Sequence, residues 1–544
     1  MTSSELSSNS GSEPCDEPHI TLVPITTALA RGGTASTSAP GYDRSTISAG
    51  IAHIGVGNFH RVHQGVYLDD LFATRPDQRH WGVVGIGLRE HETSQAKAAA
   101  YGAQGQDGLY TVTRYTKDGR RTSRIIGSMI EYLYGPADPA AVVTRLTDPS
   151  IRIVSLTITE GGYNLDEHSG AFRLDEPAVA ADLHREHPET TFGVLTAALA
   201  ARRAAGIAPF TVMSCDNLRH NGETARVAVL GFARAVDPDL ARWIDDHVAF
   251  PNSMVDRIAP SVPTRTRAAL NAGTGIDDAL PALTEDYRQW ILQDDFPTGR
   301  PAWEDLGVQL RPDVAAFEAV KGRLLNASHM LLAYPAALAG YRWVAEAAAD
   351  PAIATVLTRF MAADAAPLLQ APAGVSLEHY QQMVVERFAN PHLPDTVLRV
   401  AHDGAAKLPV FHRATAEGLL STGGDLRRVA LLLASFRQYT SGVDEHDRTF
   451  TVEEPHLSDA DWSLLRSGDP LRALEASPFA AWRLGGSPTF VSAYLHVVDL
   501  LQAQGVHAAL QHAISELPSP QPQGGQPHEA RSQREPATTR RLHA

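Results

Sequence analysis

Apolar residues in the first half of the chain come in short β-branched runs separated by helically spaced stretches. The runs Gly50–Gly55, Trp81–Leu88, Ile151–Thr159 and Pro209–Cys215 predict strands. Between them, Arg61–Ala73, His91 to about Gln104, and Phe192–Ala205 predict helices. This alternation implies a mainly parallel sheet with helices on both faces. The interval Gly108–Tyr134 has period two with glycine-containing turns, which predicts an antiparallel hairpin appended to that sheet. After about residue 312 helical spacing dominates, at Val314–Leu332, Pro351–Leu369, Leu377–Phe388, Ala414–Leu420, Leu426–Thr440 and Thr489–Gln504. The expected class is α/β, with a parallel-sheet domain over residues 48–312 and a mostly α-helical domain over 313–516. Residues 1–47 and 517–544, rich in Ser, Thr, Gly, Pro and Gln, read as disordered tails.

Size supports that division, because 544 residues exceed what one core usually holds. A formal net charge of −15 argues against nucleic acid or an anionic membrane as partner and leaves a small molecule. No apolar window is long enough to span a bilayer, and the N-terminus has no basic region leading into an apolar one. Cys15 and Cys215 cannot build a disulfide framework, so a reduced, cytoplasmic setting is expected.

The densest chemistry lies in Lys321-Gly-Arg-Leu-Leu-Asn326-Ala-Ser-His329. On an α-helix Lys321 and His329 lie about 80° apart, with Asn326 about 60° beyond, and Glu318 falls between the lysine and the histidine. Four polar groups then crowd one side of a segment that continues as an apolar run. That suits either an active site or the wet face of a surface helix. A second signal favours the active site. Ile51-Ala-His-Ile-Gly55-Val-Gly57-Asn58-Phe59-His60-Arg61 sets GxG between a strand and a helix, as a dinucleotide pyrophosphate requires, though His60 replaces the third glycine of that pattern. The second strand ends in Arg89-Glu90-His91-Glu92, where an acid would meet the adenosine ribose and favour NAD over NADP. Asn217 follows the strand that ends at Cys215, at a ligand-binding edge, or else simply makes a turn. No metal is expected: the chain lacks HExxH, and strand and helix geometry separates His53, His60 and His63.

Several blocks shared in order resemble the mannitol dehydrogenase family of long-chain polyol dehydrogenases. They are GVGNFHRVHQ, IRIVSLTITEGGYN, FTVMSCDNLRHNG, FPNSMVDRIAP, GRPAWE, KGRLLNASH and RFANPHLPDTVLRVAHDGAAKLPVF. The resemblance runs from about Ile51 to about Val506 and is strongest toward the mannitol 2-dehydrogenases of that family. It implies a Rossmann-type domain, NAD, a polyol or ketose substrate, and a monomer. It makes Lys321 the general base, with Asn217 and Asn326 as donors to the reacting oxygen. His329, Arg399, Lys407 and Asp256 would bind or orient the polyol, and Glu318 would link the lysine to water. Gly55, Gly57, Asn58, Phe59, Arg61, Glu92 and Glu160 would hold the cofactor. A hexuronate reductase or arabinitol dehydrogenase of the same family is the alternative, and a non-catalytic sugar- or nucleotide-binding protein is a rival of another class.

Overall fold

The computed structural model describes residues 21–102, 105–166 and 169–515. Five parallel strands form its first layer, in the spatial order Thr211–Ser214, Ile153–Leu156, Ala49–Ile54, Gly82–Gly87, Met129–Tyr134. The order reverses where Ala49–Ile54 meets Ile153–Leu156. Beyond the carboxyl ends of those two strands lies the crevice where open α/β sheets take their ligands. Every residue of Ala49–Ile54 is buried, as a central strand covered on both faces requires. Helices Pro139–Thr147, Thr191–Ala205 and Asn221–Val236 cover one face. Helix Gln64–Thr74 and residues of a second sheet cover the other.

The expected hairpin forms, at Tyr110–Tyr115 and Arg121–Ile126, but it does not extend the parallel sheet. It joins Ala282–Glu285, Thr37–Ser38 and Gly33–Thr34 in a separate five-stranded sheet. The chain then crosses back, and Met129–Tyr134 becomes the edge of the parallel sheet. The crossover is pinned to helix Gln64–Thr74. Gly127 N–H donates to Asp69 at 2.9 Å, and Ser128 Oγ donates to the Gly65 carbonyl at 2.8 Å. Period two marks a strand but says nothing about its partner.

Residues 21–47 are not a tail. Val23–Pro24 pairs with Ile276–Asp277, and Ile25 and Ala28 are buried against Leu109 and Ile125. The rest of both expected tails, Cys15 and the end of the Ala-rich helix at Gln104 lie outside the described residues. The helix expected at Arg61–Ala73 is two, Asn58–Val62 and Gln64–Thr74, broken at His63. The strand expected over Ile151–Thr159 pairs only at Ile153–Leu156. No helix among the described residues is long and apolar enough to cross a membrane.

The second half is helical. At its centre runs Ala327–Leu338, buried at every position except His329 and packed against Arg427–Tyr439 and Val397–Ala401. A helix apolar all round must sit inside a core, and the single exception marks the face turned to the crevice.

Gly55, directly after the central strand, has φ +95°, and a Cβ there would lie 2.1 Å from the Thr157 carbonyl oxygen. Gly55→Ala is expected to cost at least about 1–3 kcal/mol, read as a lower Tm in thermal denaturation. An unchanged Tm would show that the turn tolerates a side chain.

Candidate active site

The segment carrying Lys321 departs from the expected α-helix. Val314–Val320 and Ala327–Leu338 are α-helical, but Lys321–Asn326 between them is a π-turn. Five residues separate Lys321 from Asn326, which on an α-helix would set them about 140° apart. A π-turn bonds residue i to i+5 and brings the two onto one face. Lys321 Nζ donates to Asn217 Oδ1 at 2.6 Å, and Asn326 Nδ2 donates to the same oxygen at 3.4 Å. Asn217 comes from the parallel-sheet domain, just beyond Thr211–Ser214, so this three-way contact bridges the two domains.

Lys321 is only 8% exposed. Burial draws its amine below the ordinary lysine range, Asp256 opposes that, and Arg387 reinforces it. Asp256 does not pair with its neighbour Arg257. Both its oxygens accept from Arg387, at 2.7 and 2.8 Å, and Arg387 also donates to both oxygens of Glu285, at 2.9 and 2.7 Å. Burial pushes the Asp256 carboxyl up, but the Arg387 guanidinium outweighs it and the net direction is down.

His329 lies flat on Phe388, ring centroids 3.8 Å apart, with its Nε2 buried and unbonded. Burial first, then Arg399, Arg387, Lys321 and Lys407, hold the imidazole well below its usual range, so it is neutral at neutral pH. Glu318 accepts the His220 N–H at 3.1 Å through one oxygen, while the other is buried without a partner, and burial raises its pKa. Arg399 and Lys407 lie on separate helices, Val397–Ala401 and Gly404–Thr422. Arg399 grips both oxygens of Asp395, and Lys407 donates to the His402 carbonyl.

A cleft of about 500 Å³ brings Lys321, Asn217, Asn326, His329, Asp256 and Arg399 together with Gly57, Asn58, Phe59 and Glu160. A further cleft of about 260 Å³, with Gly57, Thr157 and Thr159 in common, continues past Gly55 to Arg89, Ser94 and Lys97. Together they make one groove along the carboxyl ends of the strands. Gly57 fits a dinucleotide there: a Cβ on it would meet nothing nearer than 3.7 Å, so its missing side chain leaves room in the groove, whereas that of Gly55 relieves a clash inside the protein. Thr159, at φ +64°, turns the chain along the groove. Asp216 holds it there, accepting the Ile158 and Thr159 N–H groups at 3.1 and 2.9 Å and the Tyr163 hydroxyl at 2.7 Å, with its own pKa pushed up to about 6 by burial.

Two expected cofactor residues are placed differently. Arg61 is buried and turned inward, donating to Asn58 and to the Leu280 carbonyl, so it braces the loop rather than facing the groove. Glu92 is exposed at the start of helix Glu92–Tyr101 and does not border the groove. Among the described residues no group of three or more His, Cys, Asp or Glu side chains could hold a metal ion. His53 and His60 are stacked core rings, and His63 bonds the Gln289 carbonyl. Sequence reasoning assigned no role to Arg387, Phe388 or Asp216. The Arg387-Phe388 pair opens a recognisable block, yet only folding aims it at Asp256 and His329.

Two family models cover most of the chain: a mannitol dehydrogenase Rossmann domain at residues 49–305 and a mannitol dehydrogenase C-terminal domain at 313–501. A polyol:NADP oxidoreductase of Gluconobacter oxydans is 43% identical over 477 residues, 88% of this chain and 97% of its own length. A mannitol 2-dehydrogenase of Cereibacter sphaeroides is 42% identical over 82% of this chain and 91% of its own. The solved ternary complex of Pseudomonas fluorescens mannitol 2-dehydrogenase with NAD and D-mannitol superposes with a TM-score of 0.83 at 39% identity, covering 89% of this chain and 98% of that one.

The Asp256–Arg387–Glu285 cluster generates a stability prediction. Arg387→Met leaves two carboxylates buried without their cation and is expected to cost about 3–5 kcal/mol in denaturant unfolding. A loss under about 1 kcal/mol would mean that water or another cation reaches them.

Proposed function

The chain belongs to the mannitol dehydrogenase family, and we propose that it interconverts D-mannitol and D-fructose with NAD, using Lys321 as general base and no metal. The observation that carries this reading is the buried Lys321 amine, 2.6 Å from Asn217 Oδ1 in the cleft that also holds Gly57 and Phe59. NAD, when bound, takes a hydride from the alcohol carbon or returns it. Gly55, Gly57, Phe59 and Glu160 border the space for it.

A neutral lysine has two N–H bonds and one lone pair. Donating one N–H to Asn217 anchors the amine and leaves its lone pair for the proton of the substrate hydroxyl. The Asn217 carbonyl faces the lysine, so its amide N–H groups face the cleft, where with Asn326 they can stabilise the developing alkoxide. Neutral amides do this without protonating the base. His329, uncharged and unbonded at Nε2, is free to bond a further polyol hydroxyl, and Glu318 passes the proton from the lysine toward water.

The charges in the cleft favour a neutral polyol over a hexuronate. Arg399 is occupied by Asp395 and Arg387 by two carboxylates, which leaves Lys407 alone of the three, bonded only to a carbonyl, to meet a substrate carboxylate. One observation supports a second reading of the cofactor. Arg89, Ser94 and Lys97 border the far end of the groove, where a ribose 2′-phosphate would find cations and a hydroxyl, and the Gluconobacter relative is named for NADP.

D-Fructose with NADH, chelator present, is expected to give faster turnover than fructuronate and a higher kcat/KM than with NADPH. Turnover on fructuronate alone would overturn the substrate, and a preference for NADPH the cofactor. Lys321→Ala is expected to lower kcat at neutral pH by about 10²–10⁴-fold with NADH affinity kept. Loss of both together would make the lysine structural. Oxidation needs the unprotonated amine, so its rate rises with pH through the Lys321 pKa. Asp256→Asn removes a carboxylate that raises that pKa, and the acid limb of kcat/KM for mannitol should move to lower pH. A limb that stays put or moves up would contradict Lys321 as the titrating group.

A further inference from the structure

Away from the strand ends, a separate cavity of about 260 Å³ opens between helix Gln64–Thr74 and the second sheet. Four guanidiniums border it, from Arg114, Arg124, Arg257 and Arg288, against two carboxylates, Asp70 and Asp286. Asp70 is shared, one oxygen accepting from Arg124 and the other from Arg288 at 2.7 Å. Asp286 lies 3.1 Å from Arg114. Arg257 has no carboxylate within ion-pair distance among the described residues. It is 7% exposed, gives its terminal nitrogens to the carbonyls of Val62 and Glu285, and keeps Nε buried with no bond at all. Burial, with Arg288 beside it, pulls the Arg257 guanidinium down to about 10. A buried, uncompensated cation costs free energy unless an anion completes the site.

We infer that this cavity binds a phosphate group, free or as the monoester of a small molecule, held by Arg114, Arg257 and Arg288 with Thr122 beside them. Counting Asp69, 3.5 Å from Arg124, the four guanidiniums face three carboxylates, and an anionic group answers the positive charge that remains. Planar guanidinium forks bind tetrahedral oxyanions through paired hydrogen bonds. The Thr122 hydroxyl, on the same strand face as Arg114, adds a donor, and the volume leaves room for a short organic remainder. The cavity shares only Arg257 with the catalytic cleft, so it is a second site. Its occupant is one residue from Asp256, the carboxylate whose field reaches Lys321. The inference does not depend on the polyol reading.

Calorimetric titration with inorganic phosphate tests it, on the protein alone and again saturated with NADH, which removes phosphate held in the dinucleotide groove. One saturable site is expected to survive NADH. Arg114→Gln, at a half-exposed residue that folding tolerates, should weaken it at least about tenfold, as should Arg288→Gln. Thr122→Glu, which places a carboxylate in the cavity, should abolish it. Glucose 6-phosphate binding more tightly than phosphate would assign the site to an ester, and equal or weaker binding to the free ion. No NADH-insensitive binding at millimolar phosphate, or unchanged affinity in both arginine variants, would overturn the site.

Discussion

At the seam between the two halves of this protein, which the Arg387–Asp256 pair also bridges, one amide carbonyl gathers the polar groups of the site. Asn217 Oδ1, at the edge of the parallel sheet, receives both the Lys321 amine and the Asn326 amide from the helical domain. The contact is possible because a single π-turn interrupts an otherwise regular helix. Wound as an α-helix, the same residues would send Asn326 well around the axis from Lys321, and one of the two donors would miss. The long apolar helix that follows is buried at all but one position, so the turn is held on a fixed base. The lysine's burial, its orientation and its proximity to the dinucleotide groove all follow from that arrangement.

Most charges around the amine are drawn into ion pairs. Arg387 answers both Asp256 and Glu285, and Asp395 answers Arg399. The cleft therefore contains several ions yet offers little net charge to a ligand. Within it the lysine is pulled toward neutrality by burial and the histidine is neutral outright. A lysine drawn toward neutrality, neutral amide donors and a neutral imidazole suit a substrate made of hydroxyl groups. The cavity beside Arg257 is the opposite case, with its cations outnumbering its carboxylates.

Much of the architecture was legible because period governs it. The parallel strands and most helices stood where β-branched runs and helical spacing set them, and the GxG turn fell after the central strand. What escaped was non-local. The hairpin's period could not reveal that Asp69 would hold Gly127 and send the two halves of Gly108–Tyr134 into different sheets. A polar stretch at residues 21–47 hid the few buried contacts of Ile25 and Ala28 that order it. At the site, residue types and order pointed to Lys321, Asn217, Asn326 and His329, but not to the π-turn that aligns them. Arg387, 131 residues further along the chain, could not be recognised from the sequence as the partner of Asp256. Glu92 had the right chemistry at the end of the second strand, yet its helix carries it out of the groove and leaves Arg89 and Lys97 there.

The central claim is that one buried amine is unprotonated when it meets the substrate. Nitrogen-15 NMR of the Lys321 Nζ in the NADH-bound protein, followed across pH, reads that state directly. The account predicts a titration midpoint below the roughly 10.4 of a free lysine. A midpoint at or above that value would leave the amine charged under working conditions and remove it as the base.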